Sequence, residues 1–232
     1  GIPIDLSGVP PEGQVFLALR PASFVNSPEG ENVFHSLGPA LVKIRDDFEQ
    51  ASGFQLTELN QMIVTFHNND GKFPRVSIVA YPVEDLTQET LLAKLGNPSP
   101  QQEKEGTFYQ GKTFAYSFPP AASGKSYFVM SDAATIKDGL SQIASPPILR
   151  MEVERLRRTT DADRHLSILF YPNFLANNDG APLFDGGRER ARSPLLWLLG
   201  DDLQAGAFSM HVDSQFYWEL RFISSLSRDK IQ

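Results

Sequence analysis

The feature that most constrains this chain is a β-hairpin pattern written twice. Residues 56 to 81, LTELNQMIVTFHNNDGKFPRVSIVAY, set two runs rich in Val, Ile, Phe and Tyr on either side of Asn68-Asn69-Asp70-Gly71. Asn and Gly accept positive φ and turn the chain back, so the stretch predicts strand, tight turn and strand. The pattern returns at residues 203 to 224 as LQAGAFSMHVDSQFYWELRFIS. One such unit cannot cover both faces of its own sheet, whereas two related units can share a core.

The residues around the first hairpin complete a unit. Val15 to Arg20, VFLALR, is a short apolar run ended by Pro21 and predicts a first strand. Ser27-Pro28-Glu29 supplies a capping hydroxyl, a proline where the missing N–H costs nothing and an acid in the first turn. Phe34, Leu37, Leu41, Ile44 and Phe48 then recur at the period of one helix face up to a stop at Gly53, with Pro39 expected to kink the helix or split it. The order is strand, helix, strand, strand. Further on, Thr87 caps a helix through Leu95 that Gly96 closes, and the proline- and glutamine-rich stretch 97 to 104 predicts an exposed loop. Residues 107 to 118, TFYQGKTFAYSF, read as a smaller hairpin about Gln110-Gly111. Ser126 to Met130 predicts a strand, and Ser131 or Asp132 caps a helix through Ile143.

Helical charge spacing over 148 to 158 predicts a bridge to a second half. That half opens with His165 to Tyr171, HLSILFY, followed by Pro172, which lies 151 residues after Pro21. Ser193-Pro194 introduces Leu195 to Leu199 much as Ser27-Pro28 introduces the first helix. His211 follows His67 by 144 residues, and the smaller offset implies a shorter helix or loop in the second copy. The fold expected is α+β, mainly antiparallel sheet with packed helices, in two related strand-helix-hairpin halves: residues 1–147, and a shorter 148–232 packed against them.

Composition narrows the functional classes. Hydrophobic residues are 41% and charged residues 21%, ordinary globular usage, so the chain can bury a large core. A net charge of −7 argues against a surface built to neutralise phosphates, and no nucleic-acid partner is expected. The local basic groups Arg155, Arg157, Arg158 and Arg188, Arg190, Arg192 have glutamates among them and read as solvated faces. With no cysteine there is no disulfide, thiolate metal site or cysteine nucleophile. No apolar run approaches the ~20 residues that span a bilayer. A start at Gly1 without a signal-like segment reads as a piece whose targeting end has been removed.

The four histidines are His35, His67, His165 and His211, and no two are spaced as a local zinc pair. His67 and His211 occupy equivalent hairpin positions that a pseudo-twofold could bring together; a polar residue at a strand end is the simpler reading. Asp161-Ala162-Asp163 and Asn177-Asn178-Asp179-Gly180 have calcium-like composition without the loop spacing that holds the ion, and read as turns. Asp185-Gly186-Gly187-Arg188 lacks the lysine and hydroxyl of a phosphate loop, and no nucleophile elbow is present. Asp46-Asp47, Glu84-Asp85 and Asp201-Asp202 are adjacent carboxylates that point different ways and read as solvated surface. Phe216, Tyr217 and Trp218 stand together in the last hairpin; Phe216 and Trp218 share a face, which reads as core or as a surface for a sugar or peptide.

The strand-proline run VFLALRP, the segment SGFQLTELNQMIVTF, then YQGKTFAYSF and SYFVMSDAATIKDGL together resemble uncharacterised extracytoplasmic bacterial domains. These include planctomycete-type secreted or membrane-anchored proteins, some joined to the outer end of Ser/Thr protein kinases. The resemblance covers residues 8 to 145 and, more weakly, 160 to 224. It implies a location outside the cytoplasm, a full-length protein that is membrane-anchored or secreted, and a binding, sensing or structural role. It carries over no catalytic, cofactor-binding or metal residue and no cofactor. The expected function is a non-catalytic module for a protein, small-molecule or glycan ligand; the alternative is a hydrolase with its site at the junction of the halves.

Overall fold

A computed structural model describes residues 2–27, 29–30, 32, 46, 48–120, 125–141, 145–185, 189–200, 202–213 and 215–225. Among the described residues ten strands lie in one antiparallel sheet: β1 (Gly13–Leu19), β2 (Leu59–His67), β3 (Arg75–Pro82), β4 (Ser99–Glu103), β5 (Gly106–Gln110), β6 (Ala115–Ser117), β7 (Phe128–Ser131), β8 (Leu166–Phe170), β9 (Leu203–Val212) and β10 (Phe216–Ser224). Their spatial order is β10-β9-β8-β1-β2-β3-β7-β6-β5-β4. The α+β class and antiparallel pairing follow directly.

Strands from residues 1–147 and 148–232 join edge to edge through β1 and β8. Order then runs outward as β1-β2-β3 on one side and β8-β9-β10 on the other. Leu17 pairs with Ile168 at the centre, Leu17 with Val64, Val64 with Ile78, Ile168 with Phe208 and Phe208 with Leu220. Residues directly opposite in antiparallel strands point to the same side, so these six form one apolar row across the sheet. On the other side, Phe16, Ile63, Val79, Val129, Leu169 and Ala207 pack into the main core with Ile4, Leu6 and Val9 from the N-terminal segment.

The α-helices with bounds among the described residues are α1 (Pro21–Val25), α2 (Gln88–Lys94), α3 (Ala133–Gly139), α4 (Met151–Thr159), α5 (Pro172–Ala176) and α6 (Glu189–Leu199). α4 places Val153 and Leu156 in the main core and exposes an ion-paired face, Glu154 to Arg157 and Arg158 at 2.7 Å each. Among the basic groups of the sequence, Arg157 and Arg158 thus serve the helix itself, and Arg192 donates to the Ala176 carbonyl. A second core lies on the opposite face, where Met62, Ala80, Phe128 and Met130 pack on Phe54, Leu59 and α2 residue Leu91.

Several expectations change. Residues 97 to 104 contain strand β4 rather than a loop; all five of its residues are exposed, and Pro100 is tolerated because an edge strand has one side unpaired. Pro21 and Pro172 do not simply stop β1 and β8: each opens a one-turn helix, since a proline's fixed φ suits the first helical position. α6 starts at Glu189 instead of Leu195, with Pro194 inside it. The strand from Ser126 begins at Phe128, and Asp132 rather than Ser131 caps α3 through the Thr135 N–H. The Phe216/Trp218 face of β10 is not core: Phe216, Tyr217 and Trp218 are 59, 43 and 58% exposed, and only the half-buried Ile223 on the other face packs against the main core. Of the first long helix, Phe34, Leu37, Pro39, Leu41 and Ile44 lie outside the described residues. Its ends agree with the caps read from sequence, as Gly30 donates to Ser27 Oγ and Gly53 takes φ +68° after Ser52. A Cβ at Gly53 would lie 2.2 Å from the Lys94 carbonyl, so glycine is required twice over.

Candidate functional site

A polar cleft sits where β2 and β3 meet the N-terminal segment. It has a volume of about 150 Å³ and is lined by Pro10, Pro11, Glu12, His67, Arg75, Thr135 and Asp138. His67 ends β2 opposite Gly13 of β1, and the Pro11 carbonyl just before that strand meets the edge of its ring. A carbonyl only accepts, so His67 Nδ1, 3.1 Å away, carries the proton; Nε2 then accepts from the Ser77 hydroxyl at 2.8 Å. Burial, helped by the Arg75 charge, pulls the His67 pKa down to about 4, against the opposing pull of the Pro11 carbonyl and Asp132. The imidazole is therefore neutral at pH 7. Arg75 is held by the Asn68 carbonyl at 3.2 Å and Thr135 Oγ1 at 3.3 Å.

The Ser77–His67 contact has the sense that activates a hydroxyl, with oxygen donating to an unprotonated ring nitrogen. Its placement does not serve that chemistry. Ser77 is fully buried in the sheet and is not among the residues lining the cleft, so a substrate carbon has no approach to its oxygen. The pair satisfies two buried polar groups instead.

A second cluster lies at the opposite end of the sheet, where β8 begins beside the end of β9. His165 stacks on His211 with centroids 4.2 Å apart and planes at 17°, and Phe24 of α1 packs edge-on at 5.7 Å. The Val212 N–H donates to His165 Nδ1 at 3.1 Å, which leaves the ring proton on Nε2, facing Ser23 Oγ at 3.1 Å. The nitrogen that would have to take a serine proton already holds one, so this pair has the reverse sense from a catalytic dyad. Burial lowers the His165 pKa, as do His211 and Arg20, against Asp213.

The residues singled out by sequence fall into place around these two clusters. His67 and His211 are not brought together: β8 and β1 stand between their strands, and the two lie at opposite ends of the sheet. His35 lies outside the described residues. Asp161 accepts from the Asp163 N–H, and Asp163 pairs with Arg20 at 2.8 Å. Asn177 accepts from Asp179 and Gly180, while Asp179 accepts from Gly71 and ties this turn to the β2–β3 turn. Both acidic stretches are turns. Asp85 accepts from Ser126, which lowers its pKa; Asp47, Asp201 and residues 186 to 188 lie outside the described residues. Among the described residues no three His, Asp or Glu side chains converge as metal ligands. None of the described helices is long and apolar enough to cross a membrane.

Two features escaped sequence reading. Ser23 and His165 are 142 positions apart, and no local pattern links them. The other is the exposure of β10, which sequence left open between core and binding surface. The strand ends the sheet, its nine residues are fully or partly exposed, and Phe216, Trp218, Leu220 and Phe222 form an apolar stripe on one face. The compact Phe-Tyr-Trp run was the signal, but its exposure was not legible. No family model, curated protein or solved structure matches this chain.

Proposed function

We propose that this chain is a non-catalytic binding, sensing or structural module acting outside the cytoplasm, built as two related halves, with β10 as the element that meets a partner. The observation that carries the reading is the exposed aromatic stripe of β10 at a sheet end, because contiguous apolar surface of this kind marks interaction sites. Trp218 and Phe216 side by side suit a protein segment or the face of a sugar ring.

The two-halves reading is supported by register. The offset of 151 residues carries α1 onto α5 end to end and Leu17 onto Ile168, its own partner at the centre of the sheet. The offset of 144 carries Val64 onto Phe208, and these are the partners of Leu17 and Ile168. Location outside the cytoplasm, in a full-length protein that is membrane-anchored or secreted, rests on the family resemblance. The net charge of −7 supports a partner other than nucleic acid.

The hydrolase alternative has one observation on its side, the Ser77–His67 hydrogen bond, and the burial of Ser77 weighs against it. The test is turnover of chromogenic esters, phosphomonoesters and glycosides by the purified chain. No turnover above buffer is expected; turnover that Ser77→Ala or Ser23→Ala abolishes would overturn the non-catalytic reading. Protease accessibility on intact cells tests location, and complete protection until lysis would count against an external site.

A further inference from the structure

We infer that β10 pairs antiparallel with β10 of a second copy of this chain, joining two sheets into one across a twofold axis at Leu220. The inference rests on the reading of β10 as the interaction element and names its partner.

The two ends of the sheet are treated differently by the sequence. β4 ends one side with Pro100, which removes a donor, and with Glu103, which pairs with Lys137 at 2.7 Å. Proline and charge are the usual means of keeping an edge from recruiting another strand. β10 ends the other side with no proline and with aromatic residues along its length. Among the described residues no strand covers its outer edge. In the first half the corresponding edge is covered: β3 takes β7, with Ile78 opposite Met130 and Ala80 opposite Phe128. Leu220 stands at the end of the same apolar row as Ile78.

The sequence of β10 is complementary to itself in one register. Pairing Leu220 with Leu220 of the second copy uses all nine residues, Phe216 through Ser224, because Leu220 is the middle one. Trp218 then lies opposite Phe222, Tyr217 opposite Ile223 and Glu219 opposite Arg221, each twice by symmetry. Glu219 and Arg221 already share a face and pair at 2.8 Å within one chain, so the four charges close into an alternating square. A slip that centres the pairing on Glu219 sets glutamate against glutamate, and one centred on Arg221 sets arginine against arginine. A slip that puts opposite faces together is forbidden by the alternation of side chains. Charge therefore selects the register, and the stripe of Phe216, Trp218, Leu220 and Phe222 becomes continuous across the axis.

A single strand pair buries less than a standard interface of ~1,600 Å², so a weak, reversible dimer is expected. Sedimentation equilibrium of the chain should show a reversible monomer–dimer system. Glu219→Arg alone and Arg221→Glu alone each place like charges opposite one another and should weaken the dimer about tenfold or more. An equimolar mixture of the two variants, and the double exchange within one chain, should both restore it. Hydrogen exchange on the unaltered protein gives a variant-free reading: alternate β10 amides should gain protection as concentration rises. A chain monomeric at hundreds of micromolar, a dimer indifferent to the single exchanges, or one that mixing does not restore overturns the inference. None of those results supplies catalytic turnover, so the non-catalytic reading stands or falls separately.

Discussion

The buried His67 predicts a loss of stability on mild acidification that can be traced to one side chain. Its folded pKa is about 4 and its ordinary value 6.5, so between these pH values the unfolded chain binds a proton that the folded chain refuses. For a histidine whose folded pKa is depressed, stability is full above pH 6.5 and falls as pH drops toward 4. At 1.36 kcal/mol per pH unit the full loss is ~3 kcal/mol, and about 2 kcal/mol of it is gone by pH 5. Only 2% of the residue is exposed, so solvent screening does little to reduce the effect. The structural cause is explicit. A proton added at Nε2 would face the Ser77 hydroxyl, which now donates to it, with the Arg75 charge close by. Urea unfolding followed by far-UV circular dichroism at pH 7.5 and pH 5 is the assay, on the wild type and on His67→Gln. The variant should be less stable at pH 7.5, since Ser77 and the Pro11 carbonyl lose their partner, but its stability should change with pH by about 2 kcal/mol less. Contributions from His165 are present in both proteins and cancel in the comparison. Parallel pH profiles, or a His67 imidazole resonance that titrates near 6.5, would refute the reasoning.

Gly206 lies under the Phe170 ring, and a Cβ there would sit 2.2 Å from the ring carbon Cζ, so Gly206→Ala should cost about 1–3 kcal/mol in a urea melt. Adding Phe170→Leu should recover part of that loss, whereas strictly additive losses would show that the ring is not the obstacle. Asp163→Ala removes the ion pair with Arg20, which joins the end of the first strand-proline run to the turn before β8, yet the Asp163 side chain is 73% exposed; its melt should move by less than ~1 kcal/mol, and a larger shift would contradict a solvent-screened pair.

Local chemistry made much of the scaffold legible. The polar turn at Asn68 to Gly71, the alternation of β2 and β3, the Thr87 cap and the Gly96 stop all act within a few residues, and each lies where its chemistry predicts. β4 was missed because Pro100 and glutamines speak against a strand until a neighbour pairs one side of it. The one-turn helices at Pro21 and Pro172 were too short to show a period. Of the candidate sites, the acidic turns were readable, since Asn and Asp bond their own backbone. The roles of the histidines were not: His67 depends on Pro11 and Ser77, and His165 on Ser23 and Val212.

The amino-acid order by itself determined the β2–β3 and β9–β10 hairpins, which residues turn the chain there, and the charge and alternation along β10. These follow from backbone preferences and side-chain periods that reach only a few positions. Tertiary structure alone decided that β1 and β8 meet, that β4 and β10 become the outer strands, and which way each histidine carries its proton. Those outcomes depend on which distant group excludes water or supplies a hydrogen bond, a contest settled only when the sheet assembles.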